Sequence, residues 1–237
     1  MKTNTFIHRI DKELIQSMPV AGFDGEVIVV DSPDKVDEAI AYLSSCKVLG
    51  VDTESRPSFT RGVHYPTALV QIASQKRCYL FRLTHIGMPQ ALCDIFANKD
   101  ICKVGLAFKD DLNGLRRRRD FRPANCVDIQ SICGRYGILD LSLQKIFAIC
   151  FGQKISKTQQ LTNWENSHLT PEQARYASTD AWATLLIYLE LMRTQPLSKE
   201  EAEALRRADL ERQLLHQQEV QAMREAQKEA ENPEKNK

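Results

Sequence analysis

The stretch Val48-Leu-Gly-Val-Asp-Thr-Glu54 is the most informative part of the sequence, because an unbroken apolar run leads directly into two acids. The run does not alternate with polar residues, which predicts a central β-strand over residues 47–54 that is covered on both faces. Residues i and i+2 of a strand point to the same face, so Asp52 and Glu54 are neighbours and Thr53 faces the other way. Such carboxylates are costly to desolvate and usually bind something positive.

Two more acidic positions occur far away in the sequence. Asp111 ends the stretch Lys103–Asp111, where a strand gives way to a helix, a usual position for functional side chains at the carboxyl edge of a sheet. Asp180 lies four residues after Tyr176, so the two share one face of a helix. Each feature has an ordinary alternative explanation: a polar rim, a helix cap or simple packing. Their order and spacing together favour a site for divalent metal ions.

The rest of the chain supplies strands and helices in an order typical of an α/β domain. The predicted strands are 26–31, 47–54, 67–73, 77–81, 101–106 and 126–128. The predicted helices are 32–45, with Ser32 as cap and Pro33 as first residue, and 91–98, 110–118, 129–136, 141–150 and 171–193. The last begins at Thr170-Pro171-Glu172-Gln173, which has the composition of a capped helix start.

Composition allows one folded domain with appendages. The 237 residues are 43% hydrophobic, and a net charge of +1 says nothing about partners. We expect a loosely attached N-terminal arm over 1–25, the main domain over 26–195, and a charged helical tail over 196–237 that is disordered from Asn232.

The cysteine pattern and the hydropathy of the sequence indicate the cellular compartment of the protein. The seven cysteines are odd in number and form no C-x-x-C pair, which predicts a reducing compartment with neither disulfides nor a zinc site. No stretch approaches a membrane span, and the N-terminus has no signal-peptide core. The expectation is a soluble cytoplasmic protein.

The three acidic segments together resemble the three motifs of the 3′–5′ exonucleases that use four catalytic acids. The spacing Tyr-x-x-x-Asp at 176–180 resembles the tyrosine (DEDDy) subclass, which includes ribonuclease D and the Werner-syndrome exonuclease domain. The histidine subclass would need His at position 175, which is Arg. The resemblance covers about residues 26–193 and implies an RNase H-like fold, with a mixed central sheet flanked by helices.

The resemblance also implies which residues form the site. It gives Asp52, Glu54, Asp111 and Asp180 as ligands of two Mg²⁺ or Mn²⁺ ions, and Tyr176 as a catalytic residue that orients the attacking water. Asp52 would bridge both ions, Glu54 and Asp180 would complete the ion that carries the water, and Asp111 would hold the other. The spacing from Gly105 selects Asp111 and leaves its neighbour Asp110 as the helix cap.

The activity that follows is hydrolysis of a nucleic acid from its 3′ end, with release of nucleoside 5′-monophosphates. Candidate substrate contacts are Thr53, Phe59, Arg61, Lys154, Lys157 and Trp164. Core packing remains an equal alternative for Trp164. The basic run Arg116–Arg119 is explained either by nucleic acid binding or by a solvated helix face.

Two other functions remain open on this fold: a non-catalytic nucleic-acid-binding protein and an RNase H-like endonuclease. Retention of all four acids and of Tyr176 argues against the first. A helicase is not supported because the sequence has no G-x-x-x-x-G-K-[ST] loop. DNA and RNA present the same scissile group, so the polymer stays undecided.

Overall fold

A computed structural model describes residues 1–231, and the chain divides into two units, Met1–Pro196 and Leu197–Lys237. The predicted disorder from Asn232 onward lies outside the described residues. Within the described part, no helix combines the length and the apolarity needed to cross a membrane.

The first unit is built on one mixed six-stranded sheet. Its strands, in chain order, are β1 (Glu26–Val30), β2 (Val48–Ser55), β3 (Thr67–Ala73), β4 (Arg77–Arg82), β5 (Cys102–Gly105) and β6 (Cys126–Asp128). Their order across the sheet is β1-β4-β3-β2-β5-β6. The pairs β2–β3 and β3–β4 are antiparallel, and the other three pairs are parallel. The strands β3 and β4 form a hairpin, and the predicted short strand β6 is confirmed.

Helices cover both faces of the sheet. In chain order they are α1 (Lys12–Ser17), α2 (Asp34–Ser44), α3 (Leu83–Ile86), α4 (Gln90–Ala97), α5 (Phe108–Arg118), α6 (Ile129–Ile132), α7 (Leu143–Phe151) and α8 (Pro171–Arg193). A 3₁₀ turn, Cys133–Tyr136, follows α6 and completes the helical stretch predicted over 129–136. The start of α2 differs slightly from the prediction: its first helical residue is Asp34, and Pro33 rather than Ser32 is the cap.

The central strand β2 is covered on both faces, as its continuous apolar pattern predicts. Leu49 and Val51 lie on one face in a core shared with α2 and α4. The opposite face packs against α8, the longest helix of the first unit. This second face carries the acids at the end of β2.

Gly50 lets α8 approach the sheet closely. A Cβ atom at this position would overlap the backbone carbonyl oxygen of Ala181 and would lie 2.8 Å from Cβ of Leu185. Only glycine leaves room for this contact between strand and helix. The contact places Asp180, the residue before Ala181, over the carboxyl-terminal half of β2.

The first 25 residues belong to the first unit and are not loosely attached. Ile10 and Ile15 are buried in a small core with Ala148 of α7. The backbone amide of Ile10 donates to the buried carboxylate of Asp140 at 2.8 Å. The prediction of a loose arm is wrong because these two isoleucines pack on an apolar surface of α7.

The second unit contains one long helix, α9 (Lys199–Glu231). Its first turn is acidic, and the amide of Glu201 donates to the hydroxyl of Ser198 at 3.1 Å, which caps the helix. Large apolar side chains such as Leu210 and Leu215 are exposed on it. The predicted charged helical tail is therefore a helix through its described length.

Replacing Gly50 tests the contact between β2 and α8. We expect Gly50→Ala to lower the free energy of unfolding by about 3 kcal/mol, because the added methyl group overpacks a backbone-to-backbone contact. Urea unfolding measures this change. A suitable control is Gly22→Ala, whose Cβ would meet only the guanidinium of Arg175 at 3.2 Å and should change stability by less than about 1 kcal/mol. Equal stability of the two variants would contradict the role given to Gly50.

Candidate active site

Three acids that are distant in the sequence meet at the end of β2. Carboxylate oxygens of Asp52, Glu54 and Asp180 all lie within 4.8 Å of one another. Asp180 is buried, whereas the other two are half-buried and face a cavity. This proximity confirms the geometric prediction that residues 52 and 54 share a face.

The position of Asp180 is set by the start of α8. Thr170 is the N-cap, and its hydroxyl accepts from the amide of Gln173 at 3.1 Å, while the Gln173 side chain accepts from the Thr170 amide at 3.1 Å. Gln173 also donates from its side chain to the hydroxyl of Thr162 at 2.9 Å. This capping box fixes the first turn and hence the rotation of Tyr176 and Asp180, which follow along the same helix.

Asp111 lies beside these three acids on α5. Its carboxylate accepts a hydrogen bond of 2.5 Å from the hydroxyl of Thr53, and its charge raises the pKa values of both Asp52 and Glu54. The four acids therefore form one electrostatic group. The hydroxyl of Thr53, a predicted substrate contact, thus also positions a neighbouring acid, because its face of β2 points to α5.

The cap of α5 is Asp128 rather than Asp110. The carboxylate of Asp128 accepts from the amides of Ala107 and Phe108 at 3.1 and 2.9 Å, and Ala107 takes the left-handed conformation that opens the helix. Asp110 lies inside the first turn and is exposed, so its prediction as the cap is wrong. The distant Asp128 reaches α5 because β6 pairs with β5, a contact that local sequence does not reveal.

Crowding and burial make the acids hard to ionise in the absence of cations. Burial, followed by the charges of Asp180, Glu54 and Asp111, raises the pKa of Asp52 well above its ordinary value. Burial is also the main reason that the pKa rises to about 9 at Glu54, about 7 at Asp180 and about 6 at Asp111. Positive charge placed between these carboxylates would reverse the effect.

Tyr176 lies beside Asp180 and is held by the core. Burial, together with the neighbouring charges of Asp180 and Glu54, raises the pKa of its phenol. The ring of Trp164 is fully buried, and its centre lies 6.0 Å from that of Tyr176. Trp164 is therefore a packing residue that supports Tyr176, and its prediction as a substrate contact is wrong.

A cavity of about 550 Å³ opens over the acids, within the range of roughly 300–1,000 Å³ typical of ligand sites. Of the predicted substrate contacts, Thr53 and Lys157 line it, and the ammonium of Lys157 is close enough to lower the pKa of Asp180. Phe59 and Arg61 are exposed in the loop between β2 and β3, outside the residues that line the cavity. Lys154 also lies outside it, where its ammonium donates to the carbonyl of Gln16.

Three of the four arginines in the basic run Arg116–Arg119 have protein partners. Arg116 forms an ion pair of 3.3 Å with Asp120, and Arg118 donates to the carbonyl of Leu83 at 3.4 Å. Arg119 donates to the side chain of Gln90 at 3.4 Å. These contacts favour the structural explanation of the basic run.

Gln71 is a polar neighbour of the acids that sequence reasoning missed. It lies directly opposite Asp52 in the β2–β3 pair, so the two side chains share a face. Gln71 is fully buried, and neither polar atom of its amide has a hydrogen-bond partner within residues 1–231. A lone Gln in the otherwise apolar run of β3 was the available signal.

The donor set fits a hard divalent cation. Mg²⁺ and Mn²⁺ prefer carboxylate oxygens, and three such groups converge here on one point. The buried Oδ1 atom of Asp180 has no hydrogen-bond partner among the described residues, a costly state that a bound cation would relieve. Asp52, Glu54 and Asp180 could therefore hold metal, with Asp111 adding charge from the side.

Comparison with known proteins agrees with this chemistry. A family model described as 3′–5′ exonuclease matches residues 27–195, which include all four acids and Tyr176. The chain belongs to the 3′–5′ exonuclease family. Members of this family are metal-dependent hydrolases, which confirms the predicted class of enzyme at the level of the family.

Several relatives share this domain. The mouse bifunctional 3′–5′ exonuclease/ATP-dependent helicase WRN is 28% identical over 193 residues, which cover 77% of this chain and 14% of the relative. Exonuclease 3′–5′ domain-containing protein 2 of Drosophila melanogaster is 31% identical over 162 residues, 67% of this chain and 27% of the relative. The chain thus corresponds to less than a third of either protein.

Solved structures of exonuclease domains have the same fold. The EXO domain of Aedes aegypti Nibbler matches with a TM-score of 0.67 and 21% identity, covering 78% of this chain and 99% of that domain. RNase D of Escherichia coli matches with a TM-score of 0.65 and 21% identity, covering 78% and 49% respectively. The predicted RNase H-like fold is confirmed.

The raised pKa values predict how stability depends on pH. Without metal ions, the folded protein binds more protons than the unfolded chain from about pH 4 up to the raised values, so these acids destabilise the fold progressively as pH rises. We expect Mn²⁺ to raise the melting temperature more at about pH 8 than at about pH 5, because metal binding displaces protons. Thermal unfolding with chelator and with Mn²⁺ measures both effects.

A matched variant separates the site from other titrating groups. Asp180→Asn removes one of the crowded carboxylates, so its metal-free melting temperature should fall less with pH than that of the wild type. A stabilising effect of Mn²⁺ that is equal at both pH values and in both proteins would contradict the assignment of these acids as metal ligands.

Proposed function

We propose that this chain is a 3′–5′ exonuclease of the tyrosine subclass that hydrolyses a nucleic acid strand from its 3′ end and releases nucleoside 5′-monophosphates. The observation that carries the proposal is the convergence of Asp52, Glu54 and Asp180 on one point, with Asp111 and Tyr176 beside them. Membership of the family supplies the direction of attack.

The three converging acids form a rigid cation-binding site. Asp52 and Glu54 stand on a strand that is paired on both sides, and Asp180 stands on a capped helix packed against that strand. Two Mg²⁺ or Mn²⁺ ions bound there would activate the attacking water and neutralise charge on the leaving oxygen. Since the carboxylates are already close together, little reorganisation is needed on binding.

Tyr176 orients the water rather than deprotonating it. Its raised pKa keeps the phenol protonated at neutral pH, which excludes it as a base. A protonated hydroxyl can still donate a hydrogen bond to the water or to the scissile phosphate. The buried Trp164 behind its ring limits movement, so the hydroxyl stays next to Asp180.

The cavity offers separate surfaces for a base and for a phosphate. Leu106, Leu141 and Leu143 contribute apolar lining, and Leu141 is 54% exposed in the protein alone. Lys157 lies on the lining beside Asp180 and can bind a phosphate. A terminal nucleotide placed here would have its base on the leucines and its phosphate near the acids.

The two alternative functions make different demands. A non-catalytic binding protein has no need for four crowded carboxylates, which destabilise the fold as they ionise. An endonuclease would cut circular strands and strands with a blocked 3′ end. Incubation of the protein and Mn²⁺ with circular and 3′-blocked DNA and RNA therefore separates it from an exonuclease, which requires a free 3′ end.

Adjacent aspartates provide a matched test of the site. We expect Asp111→Asn to lower kcat on a single-stranded oligonucleotide at least ~100-fold, because a metal-site charge is lost, whereas Asp110→Asn leaves kcat within about twofold. The measurement is steady-state release of nucleoside 5′-monophosphate with Mg²⁺ or Mn²⁺. Equal rates for the two variants would contradict the choice of Asp111.

Removing the phenol hydroxyl tests the role of Tyr176. Tyr176→Phe keeps the ring packed against Trp164, so the fold should be retained while kcat falls by ~10²-fold or more. Mn²⁺ affinity, measured by calorimetry, should stay near the wild-type value because the acids are unchanged. If kcat of the variant equalled that of wild type across pH, Tyr176 would be only a packing residue.

A further inference from the structure

A second cavity continues the first one toward the N-terminal segment. It measures about 350 Å³ and shares Gln144, Ile155, Ser156 and Lys157 with the cavity over the acids. The two cavities are therefore contiguous along the 155–157 loop. We call this second cavity the lysine groove.

One wall of the lysine groove comes from outside the part of the chain that matches the family model. Lys12, Gln16 and Val20 line the groove, whereas the family match begins at residue 27. The opposite wall includes Lys154 and Lys157. The N-terminal segment thus extends the site with residues that the family pattern does not include.

Backbone hydrogen bonds hold this N-terminal wall in place, in addition to the packing of the buried Ile10 and Ile15. The amide of Lys154 donates to the carbonyl of Pro19 at 2.9 Å, and the amide of Ala21 donates to the carbonyl of Lys154 at 2.8 Å. The Lys154 ammonium donates to the carbonyl of Gln16. The groove is therefore a preformed feature and needs no closure of a mobile segment.

All charged residues that line the groove are positive. Lys12, Lys154 and Lys157 are among its lining residues, and no acid is. Lys12 is exposed, and within residues 1–231 its ammonium has neither a hydrogen bond nor an ion pair. Three lysines next to a cavity lined by three acids match the charge of a phosphate backbone, which the acids alone would repel.

We propose that the lysine groove binds the single-stranded phosphodiester backbone upstream of the 3′-terminal nucleotide, with Lys12 as a phosphate contact supplied by the N-terminal segment. The inference rests on the proposed exonuclease function, since it assumes that the terminal nucleotide occupies the cavity over the acids. The shared loop at 155–157 then places the preceding nucleotides in the groove.

Another cavity also adjoins the 156–158 loop, but it fits an anionic strand less well. It measures about 200 Å³, and its lining contains Glu172 together with Arg175. The charges of Glu172 and Arg175 cancel, so this cavity lacks the net positive charge of the lysine groove. The larger and uniformly basic path is therefore the one assigned to the strand.

Binding of oligonucleotides of two lengths tests the proposal. In full-length protein made inactive by Asp180→Asn, fluorescence anisotropy would compare a single-stranded trinucleotide with a dodecanucleotide. We expect Lys12→Ala to weaken binding of the dodecanucleotide several-fold and to weaken that of the trinucleotide less. The dependence of log Kd on log salt, measured between about 50 and 200 mM, should fall by about 0.7 because one phosphate contact is lost.

Two further variants act as controls. Lys12→Arg keeps the charge and should restore binding of the dodecanucleotide, and Lys76→Ala removes an exposed lysine outside the groove and should leave binding unchanged. Wild-type affinity and salt dependence in Lys12→Ala would overturn the proposal. Failure of the active wild-type protein to degrade either oligonucleotide would instead contradict the exonuclease function, so the two failures are distinct.

Discussion

The close contact between β2 and α8 at Gly50 is the constraint on which the rest of the structure depends. Because glycine brings the backbone of α8 against the strand, Asp180 reaches the carboxylates of Asp52 and Glu54. The capping box at Thr170 then sets which face of the helix is presented. The packing contact at Gly50 and the helix start at Thr170 thus bring residues from distant parts of the sequence together in one site.

This arrangement is electrostatically unfavourable for the protein alone. Burial raises the pKa values of all four acids, and repulsion from the other acids of the site adds to the rise at Asp52 and Glu54, so ionisation of the site opposes folding. The surrounding sheet and the buried cores hold the carboxylates together in spite of this cost. A divalent cation placed among the carboxylates would offset this cost, and its candidate ligands are already close together.

Much of this structure could be predicted from sequence, where a local pattern determined the outcome. The apolar run before Asp52 defined the central strand, and the start at Thr170 defined the helix of Tyr176 and Asp180. Contacts between distant segments could not be predicted: Asp128 caps α5 through strand pairing, and Trp164 is buried behind Tyr176. The packing of the first 25 residues was missed for the same reason, since its isoleucines gain a partner only in the folded chain.

Binding of divalent cations by the acids that β2 and α8 bring together can be observed in a crystal. The wild-type protein would be soaked with Mn²⁺ and a nucleoside 5′-monophosphate, and anomalous scattering would be measured at the manganese edge. We expect anomalous peaks within coordination distance of the Asp52, Glu54 and Asp180 carboxylates. Bound nucleotide with no anomalous density among these three residues, or manganese bound only elsewhere, would contradict it.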